Sequence, residues 1–563
     1  MRIKYIIPLL SVFGLLLSGC DSKLFDKHFV NDDDKNISSF SVPFVNESPD
    51  NYTILENKMT IFTIDNGTVP YVSIDGFIST LNGFFNLKNI KKRVDKINNE
   101  YVLTMHDKYE ITFDWNQNTI YSPYFSYFNT LQKGGSNPIA TKFVKSTYDY
   151  DYGNKPFSVK VSNYYFDIYY YKDECLIPLF FANVLFCSQW YYNIFYNGDC
   201  CYGVSGEVTS LDKYYDCSNN GKEMPNDMRL AAVNSLLFTF DYLYGLKEDK
   251  GYNLFKNFVS KDSMSLLWSN NASENYKGYK QIVYGLLDEL HTRIDLPSYY
   301  CDPSTCVESL EDYGDFYKNY LNLRSQQREL RQSKLGGAIP VRYSSNLAII
   351  TFDSFLLGSE SQIYDSYNQI KSDAWKYDTY HFMRYCMKDI KTHTNVEKVL
   401  IDLSLNGGGN VLSLFKALGF LTDQKIPKST YNALSNNYSI INYLVDTDGD
   451  GNYSGDAYNE YEWNLLVSKN TFSAANSFTS IFKEMNLGKI YGQTSGGGMC
   501  SVLPLILADG TALAISSNDS SRFVSERDGT LYFKAIEHGI TPDVEIEYAD
   551  YYSDSKLVEY LNN

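Results

Sequence analysis

Ser473 lies in a segment whose residue types suit a nucleophile. Residues 470–477 read NTFSAANS and lead into a predicted helix that starts at Ala474, so Ser473 stands at or next to the helix N-cap. A serine at that position usually only caps the helix. The N-terminus of a helix also offers unpaired N–H groups and the positive end of a dipole to a developing oxyanion. Capping and nucleophilic catalysis therefore both stay open for Ser473.

Two glycine-rich turns and one histidine supply further groups of the same chemistry. Residues 402–409 (DLSLNGGG) and 492–498 (GQTSGGG) each end a predicted strand in consecutive glycines, which free the backbone to point N–H groups into a cleft. His291 ends a predicted helix, and a neutral imidazole near pH 7 is a suitable base for a serine hydroxyl. The alternative for His291 is a helix C-cap, where a cation is favoured. Each segment alone is a weak signal.

The order and spacing of four segments resemble the C-terminal processing (tail-specific) serine proteases and their relatives, the tricorn core protease and the retinoid-binding repeats. The resemblance covers roughly residues 280 to 550. The segments, each with the family pattern it resembles, are Glu289-Leu290-His291-Thr292 (Asp-x-His-Ser/Thr), Asp402 to Gly409 (Asp-Leu-Arg-x-Asn-x-Gly-Gly), Ser473-Ala474-Ala475-Asn476 (Ser-Ala-x-Glu/Asp) and Glu537-His538-Gly539-Ile540-Thr541-Pro542-Asp543 (Glu-x-Gly-Ile/Val-x-Pro-Asp). All four occur in the order of the family.

The sequence departs from the family pattern at several positions. Gly498 stands where the bacterial members carry a catalytic Lys, so we predict that the base is His291, as in the tricorn-like branch. Ser404 replaces an Arg, and Asn476 replaces the acid that usually follows the nucleophile. Residues 292–345 are too few for the PDZ domain that many members carry there, since such a fold needs about 80 to 100 residues. The resemblance therefore implies a branch without the catalytic Lys and without the PDZ domain.

The resemblance implies the mechanism of a serine peptidase. We expect His291 to take the proton of Ser473, which then attacks a peptide carbonyl. The backbone N–H groups of Gly408 and Ala474 are the predicted oxyanion donors. Glu537 is predicted to orient or charge-stabilise the site, with an ordinary surface carboxylate as the alternative.

Two further sites concern the base and a metal. His538 is a second candidate base. The turn DTDGDGNYS places Asp446, Asp448 and Asp450 at positions 1, 3 and 5 of a calcium loop, with a glycine at position 6. The twelfth position, a Glu in such loops, is Ala457. A structural Ca²⁺ and a polar hairpin turn are both compatible with this segment.

The N-terminus predicts export and lipidation. Arg2 and Lys4 precede an apolar stretch, 5–17, that is too short to span a bilayer and therefore indicates a cleaved signal. The run Leu17-Ser18-Gly19-Cys20 resembles a lipobox, so Cys20 is the predicted lipidation site; a secretory signal with an incidental Cys is the alternative. Acyl chains on Cys20 would anchor the protein on the outer side of the cytoplasmic membrane of a bacterial cell envelope, facing the periplasm or the exterior.

The net charge of −17 argues against nucleic acid as a partner, because phosphate binding needs a basic face. We therefore expect an exported, lipid-anchored serine endopeptidase whose partners are a polypeptide substrate and the membrane, with no required cofactor. A catalytically inactive binding lipoprotein on the same fold is the alternative, because the Lys is lost and Asn476 and Ser404 depart from the pattern. A sugar- or surface-binding lipoprotein is a third possibility, and the sequence leaves the oligomeric state open.

The order of predicted elements indicates an α/β fold. From Asn346 onward strands alternate with helices, as in βα units around a mixed or parallel sheet, and the resemblance implies a crotonase-like core. The 563 residues are too many for one core. The predicted organisation comprises a signal peptide (1–20), a flexible spacer (21–57), a separate β-rich α+β N-terminal region (58–225), a helical region that carries His291 (226–345) and the protease core (346–563).

Overall fold

The computed structural model of the chain describes residues 35–124, 138–208 and 210–562. The predicted signal peptide and Cys20 lie outside these ranges. Within them, no helix combines the length and the apolar composition that a bilayer crossing needs.

The strands of the described residues are β1 (Ile37–Asn46), β2 (Lys58–Ile64), β3 (Tyr71–Ser73), β4 (Ile90–Asp95), β5 (Glu100–Met105), β6 (Tyr109–Asp114), β7 (Thr119–Ser122), β8 (Val144–Tyr152), β9 (Phe157–Lys160), β10 (Tyr169–Tyr171), β11 (Glu174–Pro178), β12 (Tyr192–Tyr196), β13 (Cys201–Ser205), β14 (Arg293–Leu296), β15 (Val341–Ser344), β16 (Leu347–Thr351), β17 (Lys398–Asp402), β18 (Ile426–Asn432), β19 (Asn437–Val445), β20 (Glu462–Val467), β21 (Lys489–Gly492), β22 (Cys500–Ile506), β23 (Ala512–Arg527), β24 (Thr530–Ala535) and β25 (Val544–Glu545).

The α-helices are α1 (Ile74–Thr80), α2 (Pro138–Thr141), α3 (Leu179–Phe186), α4 (Asp212–Tyr215), α5 (Asn226–Phe238), α6 (Lys261–Leu267), α7 (Ala272–Lys280), α8 (Asp315–Leu335), α9 (Glu360–Ile363), α10 (Thr379–Ile390), α11 (Val411–Gly419), α12 (Ala474–Glu484) and α13 (Asp554–Asn562). Two π-helical turns, Thr239–Leu243 and Gln281–Leu286, extend α5 and α7.

A six-stranded sheet in the order β15-β16-β17-β20-β21-β25 forms the centre of the C-terminal part. All neighbours pair in parallel except the edge strand β15, which is antiparallel. In β16, Ala348 and Ile350 pack in one hydrophobic cluster, whereas Leu347 and Ile349 pack in another, so both faces are covered. Nearly continuous apolar strands are typical of such doubly covered sheets. The predicted mixed α/β fold is confirmed, while its crotonase-like detail stays a prediction.

The carboxyl ends of β17 and β20 position the predicted catalytic turns. Strand β17 leads into the glycines 407–409, and β20 leads into Ser473 at the start of α12. The two strands are parallel neighbours, so their carboxyl ends meet at the same edge of the sheet. The topology alone therefore brings 407–409 and Ser473 together.

A second sheet joins the N-terminal region to the C-terminal part. Strand β8 pairs antiparallel with β19, and the sheet continues through β18 and β23 to β14. One hydrophobic cluster also extends from Phe44 in the N-terminal region to Leu513 in β23. The sequence predicted a separate N-terminal region, but the structure joins it to the C-terminal part. Strand β8 covers the otherwise unpaired edge of β19. Two further sheets, β10-β11-β3-β2-β1-β13-β12 and β4-β5-β6-β7-β9, complete this region.

Strand β1 corrects the predicted flexible spacer 21–57. It pairs antiparallel with β2 and in parallel with β13, so it is an inner strand of its sheet. Within it, Val42 and Phe44 are buried, and the residues on either side of each are exposed. A strand with period-two alternation buries only every second residue, so its composition reads as polar. This is why 37–46 resembled a spacer.

The predicted helical region 226–345 also contains a strand of the second sheet. Strand β14 pairs with β23, and His291 lies just before β14. The preceding π-helical turn ends at Leu286, so His291 is not a helix C-cap. The sheet, rather than a helix end, fixes the position of His291.

Candidate active site

Ser473 has a strained backbone between β20 and α12. Its φ of 56° and ψ of −120° lie outside the regions that non-glycine residues ordinarily occupy. Its side chain makes no capping hydrogen bond to α12, so the capping alternative does not hold. Strain of this kind costs on the order of 1–3 kcal/mol and persists only where surrounding contacts hold it.

Hydrogen bonds between the predicted turns hold Ser473 in place. Its own N–H donates to the carbonyl of Gly497 at 2.9 Å, and the N–H of Phe472 donates to the carbonyl of Asn406 at 3.1 Å. The turns after β17, β20 and β21 are therefore joined through their backbones. The turn after β20, which contains Ser473, is bonded to both of the other turns.

The unpaired N–H group of the first glycine turn is not the predicted one. The N–H of Gly408 donates to Asn406 Oδ1 at 2.9 Å, so in this structure it is not free to act as the predicted oxyanion donor. The N–H groups of Gly409 and Ala474 have no acceptor among the described residues, and both residues line the cavity that contains Ser473. An asparagine side chain that returns to the backbone two residues later is a common turn motif, and here it selects which glycine N–H stays free.

Both turn positions require glycine. Gly408 has a φ of +107°, and a Cβ there would stand 2.8 Å from the Cβ of Ser473. Gly409 has a φ of +130°, and a Cβ there would stand 2.3 Å from the carbonyl oxygen of Phe355. The close approach of this turn to Ser473 is possible because neither residue has a side chain.

Glu289 holds the backbone around His291. Its Oε2 accepts the His291 N–H at 2.6 Å, and its other oxygen accepts the Thr292 hydroxyl. The imidazole packs against the ring of Phe472, with 4.7 Å between the ring centroids. Because Phe472 precedes Ser473, one aromatic ring connects the two predicted catalytic residues.

His291 is 7% exposed and lines the same cavity as Ser473, which has a volume of about 660 Å³. Burial lowers the pKa of His291; the charge of Glu289 opposes this effect and that of Arg293 adds to it. The ring is therefore neutral at pH 7 and able to accept a proton. Within the described residues, its side chain makes no hydrogen bond to Ser473, as is common in catalytic pairs without substrate.

Glu537 lies behind the glycine turn and not in the cavity of Ser473. Its Oε2 accepts the Met499 N–H at 2.8 Å. Burial, and after it the charge of Glu289, raises the pKa of Glu537 to about 7. Glu537 and Glu289 line a second cavity of about 650 Å³. Glu537 is therefore not an ordinary surface carboxylate, and its contact supports the turn that faces Ser473.

The structure does not bring His538 to the site. Its side chain is 84% exposed and forms an ion pair with Asp249 at 2.9 Å. It does not line the cavity that contains Ser473. His291 is the better placed of the two candidate bases.

Position 498 has no room for a lysine. Gly498 has a φ of +80°, and a Cβ there would stand 2.4 Å from ring atoms of Phe472. The ring that packs against His291 thus occupies the space that a side chain at 498 would need.

Asn476, which replaces the usual acid, has a structural role. It is fully buried, donates to the carbonyl of Ile536 at 2.9 Å and accepts the hydroxyl of Ser495 at 2.7 Å. It therefore connects α12 to both the second glycine turn and the segment of Glu537. Ser404, the other departure, is buried and hydrogen-bonds the hydroxyl of Tyr552 at 3.0 Å.

Helix α8 crosses the site, which no sequence motif indicated. Gln327 is 2% exposed, and its Oε1 accepts hydrogen bonds from Asn470 Nδ2 at 2.5 Å and from the Ser468 hydroxyl at 3.2 Å. At the start of α8, two backbone N–H groups donate to Asp288, three residues before His291. The helix thereby connects the base segment to the nucleophile segment.

The cavity walls come from distant parts of the chain. Tyr191 and Glu207 belong to the N-terminal region, Arg293 to β14, and Tyr317 and Tyr320 to α8. Arg293 forms an ion pair with Glu207 across the cavity wall. Only the fold brings these residues together, so no local pattern in the sequence identifies them.

The predicted calcium loop gathers four carboxylates. Asp446, Asp448 and Asp450 are joined by Asp456, and ligand oxygens from all four lie within 4.8 Å of one another. The loop connects β19 to β20. Asp456 lies six residues after Asp450. It stands one position before Ala457, the twelfth position of the loop, at which calcium loops carry their last ligand.

Comparisons with known proteins confirm the resemblance that the sequence shows to this family. Residues 346–546 match the family model "Peptidase family S41". No curated protein matches the chain. Similar solved structures include a candidate peptidase from Parabacteroides merdae (15% identity, 60% of this chain and 97% of that one, TM-score 0.42), a lipoprotein from Streptococcus agalactiae (16%, 60% and 98%, 0.35) and the photosystem II D1 C-terminal processing protease (17%, 37% and 49%, 0.24). At these TM-scores the structures carry no argument about function.

Proposed function

We propose that this chain, whose residues 346–546 belong to peptidase family S41, is a serine endopeptidase that cleaves polypeptides. The family match supports a peptidase-type hydrolase. The observation that carries the proposal is the strained Ser473 beside the unpaired N–H groups of Gly409 and Ala474. A nucleophile next to two preorganised donors is what acyl transfer requires.

The proposed reaction begins with proton transfer from Ser473 to His291. As His291 Nδ1 or Nε2 takes the hydroxyl proton, Ser473 Oγ bonds to the peptide carbonyl carbon, and the carbonyl oxygen becomes the oxyanion. The N–H groups of Gly409 and Ala474 donate to that oxyanion. The C–N bond then breaks, and the amine leaves with the proton from His291. Water then loses a proton to His291 and bonds to the acyl carbon. The bond from that carbon to Ser473 Oγ breaks, and His291 returns the proton to Oγ, which leaves the product as a carboxylic acid.

Two carboxylates support this unit without touching the reacting atoms. Glu289 fixes the backbone of His291, and Glu537 fixes the turn at Met499 that lines the cavity. Both act as positioning residues in the proposal.

A fluorophosphonate probe tests the nucleophile. We expect it to label the parent protein, and Ser473→Ala to abolish labelling. Ser477→Ala is the matched control, because Ser477 lines the same cavity one helical turn further along α12. Label that persists on Ser473→Ala, or that moves to Ser477, contradicts the assignment.

A binding protein without catalytic activity is the second candidate. The observation that favours it is the missing hydrogen bond between His291 and Ser473. Absence of labelling in a folded parent protein, together with saturable binding of unfolded polypeptides, would establish this alternative.

We further propose that Cys20 carries a lipid anchor on the outer side of the cytoplasmic membrane. The lipobox-like run that ends at Cys20 supports this proposal. Cells fed an alkyne-tagged palmitate should label the parent chain and not Cys20→Ser. Equal labelling of the two would exclude lipidation at this residue.

A further inference from the structure

We propose that Asp446, Asp448, Asp450 and Asp456 bind one Ca²⁺ ion in the loop between β19 and β20. One ligand oxygen from each residue lies within 4.8 Å of the other three. Oxygens on opposite sides of a single Ca²⁺ are about 5 Å apart, because each Ca–O distance is about 2.3–2.6 Å. The cluster therefore has the size of one calcium site.

The negative charge of this cluster exceeds the counter-charge that the protein supplies nearby. The guanidinium of Arg384 lies beside the loop, since its Nη1 would stand 3.4 Å from a Cβ on Gly449. Among the described residues, none of the four carboxylates forms an ion pair with a Lys, Arg or His, and one guanidinium does not neutralise four carboxylates. Like charges at this separation repel one another unless a cation lies between them. Calcium, a hard cation that prefers carboxylate oxygens, supplies that charge.

Asp456 has a buried oxygen without a partner among the described residues. This oxygen is its Oδ2, to which no group donates a hydrogen bond. A buried carboxylate oxygen without a donor is unfavourable, and coordination to a cation removes that cost.

Tyr380 provides a second, independent sign of a ligand. It is fully buried, and its hydroxyl has no hydrogen-bond partner. The hydroxyl faces the loop, since a Cβ on Gly449 would stand 3.9 Å from it. An occupied site offers this donor an acceptor, either a carboxylate or a metal-bound water.

The loop is closed by Asp456 in place of the missing twelfth ligand. Two bonds hold Asp456 in position: its N–H donates to Asp423 Oδ1 at 2.9 Å, and its carbonyl accepts the Thr447 hydroxyl at 2.7 Å. Asp446, at the other end of the loop, is 3% exposed and accepts the N–H groups of Gly449 at 2.6 Å and Gly451 at 2.9 Å. The loop is thus folded around the cluster from both ends.

Calcium titration of the full chain tests the proposal. We expect calorimetry to show one site with a dissociation constant of about 10⁻⁴–10⁻³ M, typical of extracellular modules, and magnesium to bind at least about tenfold more weakly. The melting temperature should rise with calcium and fall back in chelator, because a ligand that binds only the folded state stabilises it. No binding at millimolar calcium, or equal melting with calcium and chelator, overturns the proposal.

Two variants separate a ligand from a nearby carboxylate. Asp456→Asn keeps the shape and removes a charge, so its calcium affinity should fall at least about tenfold. Glu460→Gln is the matched control, because Glu460 is an exposed carboxylate four residues after Asp456 and does not belong to the cluster. It should leave the calcium affinity and the calcium-dependent rise in melting temperature unchanged. A calcium affinity of Asp456→Asn equal to that of the parent protein refutes the assignment. If that variant fails to fold in chelator, Asp448→Asn replaces it, because Asp448 is exposed. An affinity of Asp448→Asn equal to that of the parent protein then refutes the assignment.

Discussion

In the proposed mechanism, the protonation state of His291 sets the pH range in which Ser473 is activated. Burial lowers the pKa of His291 below the usual value of about 6.5. Since only the neutral imidazole accepts a proton, kcat/KM should rise with pH, and the midpoint of the rise should lie below that of an ordinary histidine. The same depressed pKa means that protonation of His291 favours the unfolded state, so this residue adds stability as pH rises through that range.

A pH profile of kcat/KM on a polypeptide substrate measures this titration. His538→Ala is the control, because that exposed histidine does not line the cavity and should leave the profile unchanged. His291→Ala should reduce activity about as much as Ser473→Ala, since residues that act as a unit are not additive. A rise centred well above pH 7, in the range of a lysine, would exclude His291 as the base.

Gly498→Lys should destabilise the protein and restore no lysine-dependent activity. The new side chain meets the ring of Phe472 and also strains a backbone with φ of +80°, which together cost about 2–4 kcal/mol. Gly529→Lys is the matched control, because Gly529 has a φ of +74° and no atom within 4 Å of a new Cβ. Urea unfolding should show a loss of only about 1 kcal/mol for the control. Equal losses in the free energy of unfolding for both variants would show that the ring of Phe472 moves aside and does not exclude a side chain at position 498.

The placement of Ser473, His291 and Ala474 around one cavity could be predicted at this scale, because each stands in a local pattern with a chemical reason. The glycine whose N–H stays free could not be predicted, because three successive glycines differ only in the direction of their N–H groups. That direction depends on the side chain of Asn406, which engages Gly408 and leaves Gly409 free.

At the scale of elements, α8 connects the segment of His291 to the segment of Ser473. Gln327→Ala removes the acceptor of Asn470 and Ser468, so the strained turn at Ser473 should relax. We expect kcat to fall about 10- to 100-fold with KM little changed, because substrate contacts remain while the nucleophile shifts. Gln326→Ala, an exposed neighbour on the same helix, is the control.

A loss of stability alone does not explain that outcome. Kinetics at a temperature where both variants are fully folded, checked by circular dichroism, should still separate Gln327→Ala from Gln326→Ala. Equal kcat values for the two variants would show that α8 does not position the nucleophile.

The elements of the parallel sheet were the most predictable part of the fold. Strands buried on both faces read as continuous apolar runs, so β16, β17 and β20 were visible in the sequence. Strand β1 was missed because its alternation leaves most of its residues exposed. Strand β14 was missed because it is a short strand placed among helices, and only its pairing with β23 defines it.

At the scale of the whole molecule, the N-terminal region and the C-terminal part share one sheet and one hydrophobic cluster. We therefore expect residues 35–562 to unfold in a single cooperative transition, since neither part has a complete core alone. Thermal melting followed by far-ultraviolet circular dichroism and by tryptophan fluorescence should give coincident curves. Two separated transitions would show that the N-terminal region unfolds independently, as the sequence predicted.

The packing of Phe472 makes two arrangements of the site mutually exclusive. One ring contacts the imidazole of His291 and fills the place of any side chain at position 498. A lysine at 498 therefore requires a smaller residue at 472, and that change removes the ring that packs against His291. Under the proposed mechanism, an exchange of the histidine base for a lysine base thus needs coordinated substitutions and not a single one.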